Sequence, residues 1–336
     1  MTPCPLPSIL HPRPHGALPL AGSRIAWWTG LRDGAGREAP ASGLPRDVQD
    51  RLSAPRAALC GLSLDRPRVM GILNVTPDSF SDGGVHATLE TAVARAREMA
   101  ADADIIDIGG ESTRPGARAI AQEDEIARTA PVIRAIRAAG LTVPISIDTR
   151  KAAVAEAALD AGADMVNDVT ALRYDPAMAP LVAERGVPVC LMHSVADPET
   201  MMAHARYGDV VAEVMAHLAL RIDAAVAAGI ARDRIVIDPG IGFGKTLDHN
   251  LEVLNAMPAF HALGPALLVG ASRKRFIGTL GRAAEPRDRM AGSVAVALHA
   301  AAQGVQVLRV HDTAATRQAL RLQAALAGDQ EATDGA

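Results

Sequence analysis

From Val69 onward, short β-rich runs alternate with longer Ala-rich stretches whose apolar residues recur at helical spacing, the pattern expected of βα units around a parallel sheet. Eight runs read as strands: Val69–Val75, Ile105–Ile108, Pro144–Ile147, Met165–Val169, Pro188–Met192, Arg234–Ile237, Ala266–Gly270 and Val305–Val310. The clearest helices between and after them are Leu89–Ala101, Glu123–Ala139, Lys151–Ala161, Val210–Ala228, Arg287–Ala302 and Ala314–Ala327, with weaker ones near Met178 and Leu251. Eight such units predict an α/β fold of the closed (β/α)8 TIM-barrel type, since an open doubly wound sheet usually has fewer strands. The barrel is expected over residues 68–328 and a disordered tail over 329–336. Residues 1–67, rich in Pro, Gly and Arg, show no sustained period and predict an N-terminal extension of short hairpins or partial disorder that caps the barrel bottom.

In barrels of this kind the chemistry sits where strands end and βα loops begin. Here every strand ends in polar residues: Asn74; Asp107 with Glu111, Thr113 and Arg114; Asp148; Asn167 and Asp168; His193; Asp238; Ser272, Arg273 and Lys274; then Arg309, His311 and Asp312. Polar residues end strands and cap helices in any α/β protein, but their presence at all eight strands points to one shared site.

Composition narrows the ligand class. A formal charge of −4 argues against a nucleic-acid binder, so an anion site must be local. The three cysteines, Cys4, Cys60 and Cys190, lack the spacing of a disulfide framework or a zinc site, which suggests a reducing cytoplasm. The proline-rich start does not resemble a secretory signal, and no apolar run is long enough to predict a membrane span.

Arg114, Lys274, Arg309 and His311 lie on three loops that a barrel brings to one rim, where they suit an anion or, alternatively, surface salt bridges. Arg309 and His311 are two apart on a strand and leave on the same face. Asp148 and Asp238, with Asn167, should point into the barrel mouth. A carboxylate beside an amide suits an aminopyrimidine, whose ring N–H and amino group form a flat double donor; the alternative is a structural network with the loop Arg and Lys residues. The carboxylates are too dispersed for a zinc or di-metal site, whereas magnesium arriving with a pyrophosphate asks little of the protein, and Asn74 is positioned to give it one oxygen. The Gly244-Lys245-Thr246 ending is not a nucleotide loop, because Pro239 stands where that motif needs glycine. His193 reads equally as a packed or a catalytic residue, and Met192 as pocket wall or core.

Six ordered motifs resemble the dihydropteroate synthase family over about Leu64 to Leu326. They are Asn74-Val75-Thr76-Pro77-Asp78-Ser79-Phe80 with its flanks, Asp107 to Gly116 through Thr113-Arg114-Pro115, Ser146-Ile147-Asp148-Thr149 with Asn167-Asp168, Asp238 to Lys245, Ser272-Arg273-Lys274, and Arg309-Val310-His311-Asp312. The resemblance implies condensation of a pterin pyrophosphate with p-aminobenzoate, in which the methylene–pyrophosphate bond breaks before the amine attacks. It implies that Asp148, Asn167, Asp238 and Lys274 hold the pterin, with Arg309 flanking its ring. Asn74, Arg114, Arg309 and His311 would hold the pyrophosphate and its Mg2+. Phe80, Thr113, Arg114, Pro115, Phe243 and Lys274 would surround the p-aminobenzoate, with Met192 as a further lining residue. Arg114, Lys274, Arg309 and His311 form the implied catalytic set, sulfonamides the implied competitors, and a homodimer the implied assembly. Arg275 departs from the pattern, since many members have serine there. A corrinoid-linked pterin methyltransferase and a non-catalytic pterin-binding protein are the rival readings.

Overall fold

The computed structural model describes all residues except 1–2, 10, 12, 34, 76–84, 113–116, 118, 197–198 and 330–336, and for 85–88 it describes the backbone alone. The chain opens with four short strands, β1 (Cys4–Ser8), β2 (Leu18–Pro19), β3 (Trp27–Arg32) and β4 (Glu38–Pro40), followed by helix α1 (Arg46–Ser53). β3 pairs antiparallel with each of the other three. Trp28 is fully buried among Leu20, Ala26, Ala41 and Leu52, and its indole N–H donates to Ser53 Oγ at 3.0 Å. The described part of this extension is therefore a small sheet with its own apolar cluster. Strands of two to six residues interrupted by prolines are too short to carry a readable period.

The rest alternates strand and helix: β5 (Arg68–Asn74), α2 (Val85–Ala100), β6 (Ile105–Gly109), α3 (Gln122–Ala138), β7 (Ile145–Asp148), α4 (Ala152–Asp160), β8 (Met165–Asp168), α5 (Met178–Arg185), β9 (Val189–Met192), α6 (Val210–Ala227), β10 (Ile235–Asp238), α7 (Leu247–Asn255), α8 (Met257–Phe260), β11 (Ala266–Val269), α9 (Arg275–Leu280), α10 (Met290–Ala302), β12 (Val307–Val310) and α11 (Thr313–Leu326). β5 to β12 form a closed parallel barrel, with β12 returning to pair with β5. The expected eight strands and TIM-barrel class are what the structure contains. The single helix expected over Arg287–Ala302 is instead a 3-10 turn, Pro286–Arg289, leading into α10.

Strand parity divides the core in two. Outward residues such as Val69, Ile106, Ile147, Val166, Leu191, Ile237 and Leu308 pack with the helices in the large cluster. Their inward neighbours Met70, Ile105, Met165, Cys190, Val236, Leu268 and Val307 fill the barrel axis. Side chains alternate across a strand, so the next inward positions are two residues further along, and these include Asp107, Asn167, Met192, Asp238 and Arg309. The same alternation that seals the lower half with apolar groups delivers polar ones to the upper mouth.

The lower end is closed by the extension. A tight turn, in which Leu59 and Leu62 exchange backbone hydrogen bonds, puts Leu59 and Leu64 into the axial cluster. At the other end of the chain Asp329, expected in a disordered tail, is buried and paired with Arg24 at 2.6 Å; residues 330–336 lie outside the described residues. Among the described residues no helix is long and apolar enough to cross a membrane. Because Leu59 fills the barrel end without touching the mouth, Leu59→Ala should lower unfolding free energy in urea by about 2–4 kcal/mol while leaving the protein's ligand affinities unchanged.

Candidate active site

Arg309 organises the mouth. Its Nε donates to Asp107 Oδ2 at 2.5 Å and its Nη2 to Asp148 Oδ2 at 2.6 Å. Asn167 Nδ2 donates to the same Asp107 oxygen at 3.3 Å. The second oxygens, Asp107 Oδ1 and Asp148 Oδ1, are buried and have no hydrogen-bond partner. A buried acceptor without a donor is costly, so two such atoms, on carboxyl groups bridged by one guanidinium, mark where a ligand's N–H groups belong. Asp107 was read from sequence only as a strand-end residue. Its signal was parity, since it stands two positions beyond the inward Ile105.

Burial pushes the Asp148 carboxyl up to about 7, against the pull of Arg309, and the nearby Asp107 adds to the rise. Burial would lower the Arg309 guanidinium, but Asp107 and Asp148 together hold it above its ordinary value. The Asp238 carboxyl is also raised by burial, with Lys274 opposing. Asp238 Oδ1 accepts from the Gly240 N–H at 2.7 Å, which fixes its rotamer.

Lys274, half-buried, donates from Nζ to the Ile241 carbonyl, and that ammonium lies 4.6 Å from the centroid of the Phe243 ring. Burial pushes Lys274 down to about 8, with Asp238 working against the fall. Phe243 thus stands beside the expected binding lysine, and Met192 is buried at the inward end of β9.

The loop carrying Lys274 is held from several sides. Arg273 adopts a positive φ of 58°, which a non-glycine residue keeps only when fixed. Its N–H donates to Ser293 Oγ at 2.9 Å, its carbonyl accepts from Arg289 Nη1 at 3.0 Å, and its guanidinium pairs with Asp312 at 2.5 Å. His311 lies on the same loop pair, its Nδ1 3.0 Å from Ser272 Oγ. Arg309 and His311 do not meet on one point here: Arg309 is turned to the carboxylates and His311 to Ser272. Arg275 is exposed at the start of α9, so its side chain turns outward.

On the opposite rim, Glu111 pairs with Arg150 at 2.9 Å and with Lys151, and Lys151 pairs with Glu125 at 2.6 Å, all four being buried. This network anchors the base of the loop that leads to Thr113, Arg114 and Pro115. Those three residues and Phe80 lie outside the described residues. Asp168 is absorbed by its own turn, accepting from the Thr170 and Leu172 N–H groups. Asn74 Oδ1 and Asp148 Oδ2 lie 3.8 and 3.7 Å from the point where a Cβ on Gly109 would sit, so the amide oxygen faces the mouth beside a carboxylate. Among the described residues no group of three or more His, Cys, Asp or Glu side chains is placed to hold a metal ion.

Comparison with known proteins agrees with this geometry. The pterin binding enzyme family model matches residues 70–311. The dihydropteroate synthase of Escherichia coli strain K12 is 47% identical over 262 residues, covering 78% of this chain and 92% of that protein. The solved dihydropteroate synthase of Xanthomonas albilineans with 4-aminobenzoic acid superposes with a TM-score of 0.75 at 50% identity, covering 81% of this chain and 98% of that one. The Yersinia pestis enzyme, solved with a sulfonamide drug complex, gives 0.74 at 44% identity over 82% and 97% of the two chains.

The raised Asp148 sets a pH dependence of stability. Its folded value of about 7 exceeds the unfolded 3.8, so its stabilising contribution is full below the unfolded value and is lost as pH rises through 7. Between pH 5 and 8 the wild type should lose about 2 kcal/mol of unfolding free energy relative to Asp148→Asn. Urea titrations across that range check it, and parallel curves for the two proteins would contradict it.

Proposed function

The chain belongs to the pterin-binding enzyme family, and on that premise we propose that it is a transferase joining 6-hydroxymethyl-7,8-dihydropterin pyrophosphate to p-aminobenzoate in folate biosynthesis, giving 7,8-dihydropteroate and pyrophosphate. The observation that carries this reading is the pair of unpartnered, buried carboxylate oxygens on Asp107 and Asp148, flanked by Asn167 and Asp238. An aminopyrimidine ring offers the flat set of N–H donors that such a wall lacks. Solved relatives support the same substrates: the Xanthomonas albilineans enzyme binds 4-aminobenzoic acid in one structure and 7,8-dihydropteroate in another.

Asp148, Asn167, Asp238 and Lys274 hold the pterin, with Arg309 fixed at its edge. Lys274, Phe243 and Met192 line the adjoining arylamine side, and the family resemblance assigns Phe80, Thr113 and Pro115 to the same substrate. The methylene–oxygen bond breaks with its electron pair on pyrophosphate. The amine nitrogen then bonds to the methylene carbon and releases a proton. Negative charge grows on the departing oxygen, where Arg114 and His311 stabilise it, while Arg309 keeps Asp107 and Asp148 in place and the carboxylates favour the positive charge left on the pterin. A neutral aromatic amine is already nucleophilic, so no strong general base is required.

The donor set fits a magnesium ion that keeps most of its waters, because Asn74 offers one neutral amide oxygen at the barrel mouth. When bound, that ion would neutralise pyrophosphate charge and ease its departure. The cytoplasm is the setting we propose, supported by three cysteines that form no disulfide. A homodimer is the assembly we propose, and sulfonamides compete for the arylamine side, as the drug complex of the Yersinia pestis enzyme supports.

Incubating the purified protein with both substrates and magnesium, and following product by chromatography, tests the reaction. Dihydropteroate should form only with both substrates present, and Arg309→Ala should lower kcat/KM by about 1000-fold. Pterin binding without dihydropteroate or pyrophosphate release would favour a methyltransferase or a binding protein instead. Chelation should abolish turnover and added magnesium restore it, with Asn74→Ala needing about tenfold more of the ion.

A further inference from the structure

Lys245 and His193 take no part in the reaction above, yet they stand together at its edge. Lys245 is 2% exposed, and no carboxylate among the described residues bonds to it. Its ammonium meets His193 Nδ1 at 2.9 Å, the Gly240 carbonyl at 2.9 Å and the Phe243 carbonyl at 3.2 Å. Three protons face three acceptors. Burial, reinforced by Lys245, pushes His193 down to about 2, so the imidazole stays neutral and its Nδ1 lone pair is available.

The two carbonyls belong to the turn that precedes the lysine, so the backbone from Gly240 to Gly244 coils around the ammonium of the next residue. Gly240 and Gly244 have φ of 70° and 56°, and a Cβ would strike the His193 carbonyl at the first and the Val195 side chain at the second. Tyr207 Oη donates to the Gly244 carbonyl at 2.9 Å and closes the coil. Two parts of the arylamine side hang from it: the Phe243 ring and the Ile241 carbonyl, which accepts from Lys274 Nζ. Asp238 is held by its strand, by the His193 N–H on its carbonyl at 2.9 Å and by the Gly240 N–H on Oδ1 at 2.7 Å, so the coil reaches it through one backbone group, whereas Asp107 and Asp148 are bound by Arg309 on strands outside the coil.

We propose that Lys245 is a positioning residue chiefly for the arylamine subsite, fixing the Phe243 ring and the Ile241 carbonyl that orients Lys274, while the pterin acids Asp107 and Asp148 are placed by their strands and by Arg309. The inference rests on the function proposed above. It separates the loop's lysine from nucleotide binding, since its Nζ is already enclosed by three protein partners within 3.2 Å.

Steady-state kinetics of the full chain test it, with one substrate varied and the other saturating, for wild type, Lys245→Met and Tyr207→Phe, each with a melting temperature. Lys245→Met should raise the KM for p-aminobenzoate by at least about tenfold and that for the pterin pyrophosphate, which meets the coil only through Asp238 and Lys274, by no more than about threefold. Tyr207→Phe, which removes one bond at the far end of the coil, should raise the same KM about threefold with little change in melting. That milder variant decides the matter if Lys245→Met does not fold. A p-aminobenzoate KM that stays at the wild-type value in the folded variants, or a parallel rise in both KM values, overturns the assignment. A wild type that makes no dihydropteroate overturns the proposed function, and this inference with it.

Discussion

Asp107, Asp148 and Asp238 converge on one end of a closed barrel, where water cannot solvate three carboxyl groups, and the guanidinium of Arg309 is what lets the first two remain there together. It bridges strands β6 and β7 from β12, across 202 and 161 residues of sequence. That reach exists only because β12 pairs with β5 and closes the barrel. Removing one partner of a buried ion pair leaves an uncompensated charge, so the site and the closure of the fold depend on the same contact. The arrangement also explains the ligand's place. Arg309 satisfies one oxygen of each carboxylate and leaves the other for donors that the protein does not supply.

Around this fixed centre, the rim is held by interactions internal to each loop pair. Arg273 with Asp312 and Ser293 fixes the turn that presents Lys274. Glu111, Glu125, Arg150 and Lys151 anchor the base of the loop after β6. Lys245 coils the loop after β10 around itself. Each is a local solution to bringing charge close to an apolar axis, and each leaves the inward strand residues undisturbed. The lower barrel is sealed separately by Leu59 and Leu64, so the extension and the mouth address opposite ends of one cylinder.

Much of this was legible in the sequence for a physical reason. A parallel barrel strand buried on both faces reads as a short apolar run, and its polar end stands out against it. Asp148, Asn167, Asp238, Lys274 and Arg309 were all visible in that way. What could not be read was pairing. The partner of Arg309 follows from strand register and barrel closure, which no local pattern encodes, so Asp107 looked like an ordinary strand end. Lys245 was opaque because two of its partners are backbone carbonyls, present at every residue. The sheet around Trp28 was hidden by the brevity of its strands, and Asp329 by a partner, Arg24, 305 residues away.

The claim on which the rest turns is that the pterin's N–H donors meet the Asp148 carboxyl group, which burial pushes up to about 7 so that it must give up a proton to accept them at pH 6. Calorimetric titration of 6-hydroxymethylpterin, which carries no phosphate to ionise, measures this directly when run at pH 6 in two buffers of different ionisation enthalpy. Binding should release about one proton in the wild type and none in Asp148→Asn. A binding enthalpy that is the same in both buffers, or a proton taken up, would contradict the role assigned to Asp148.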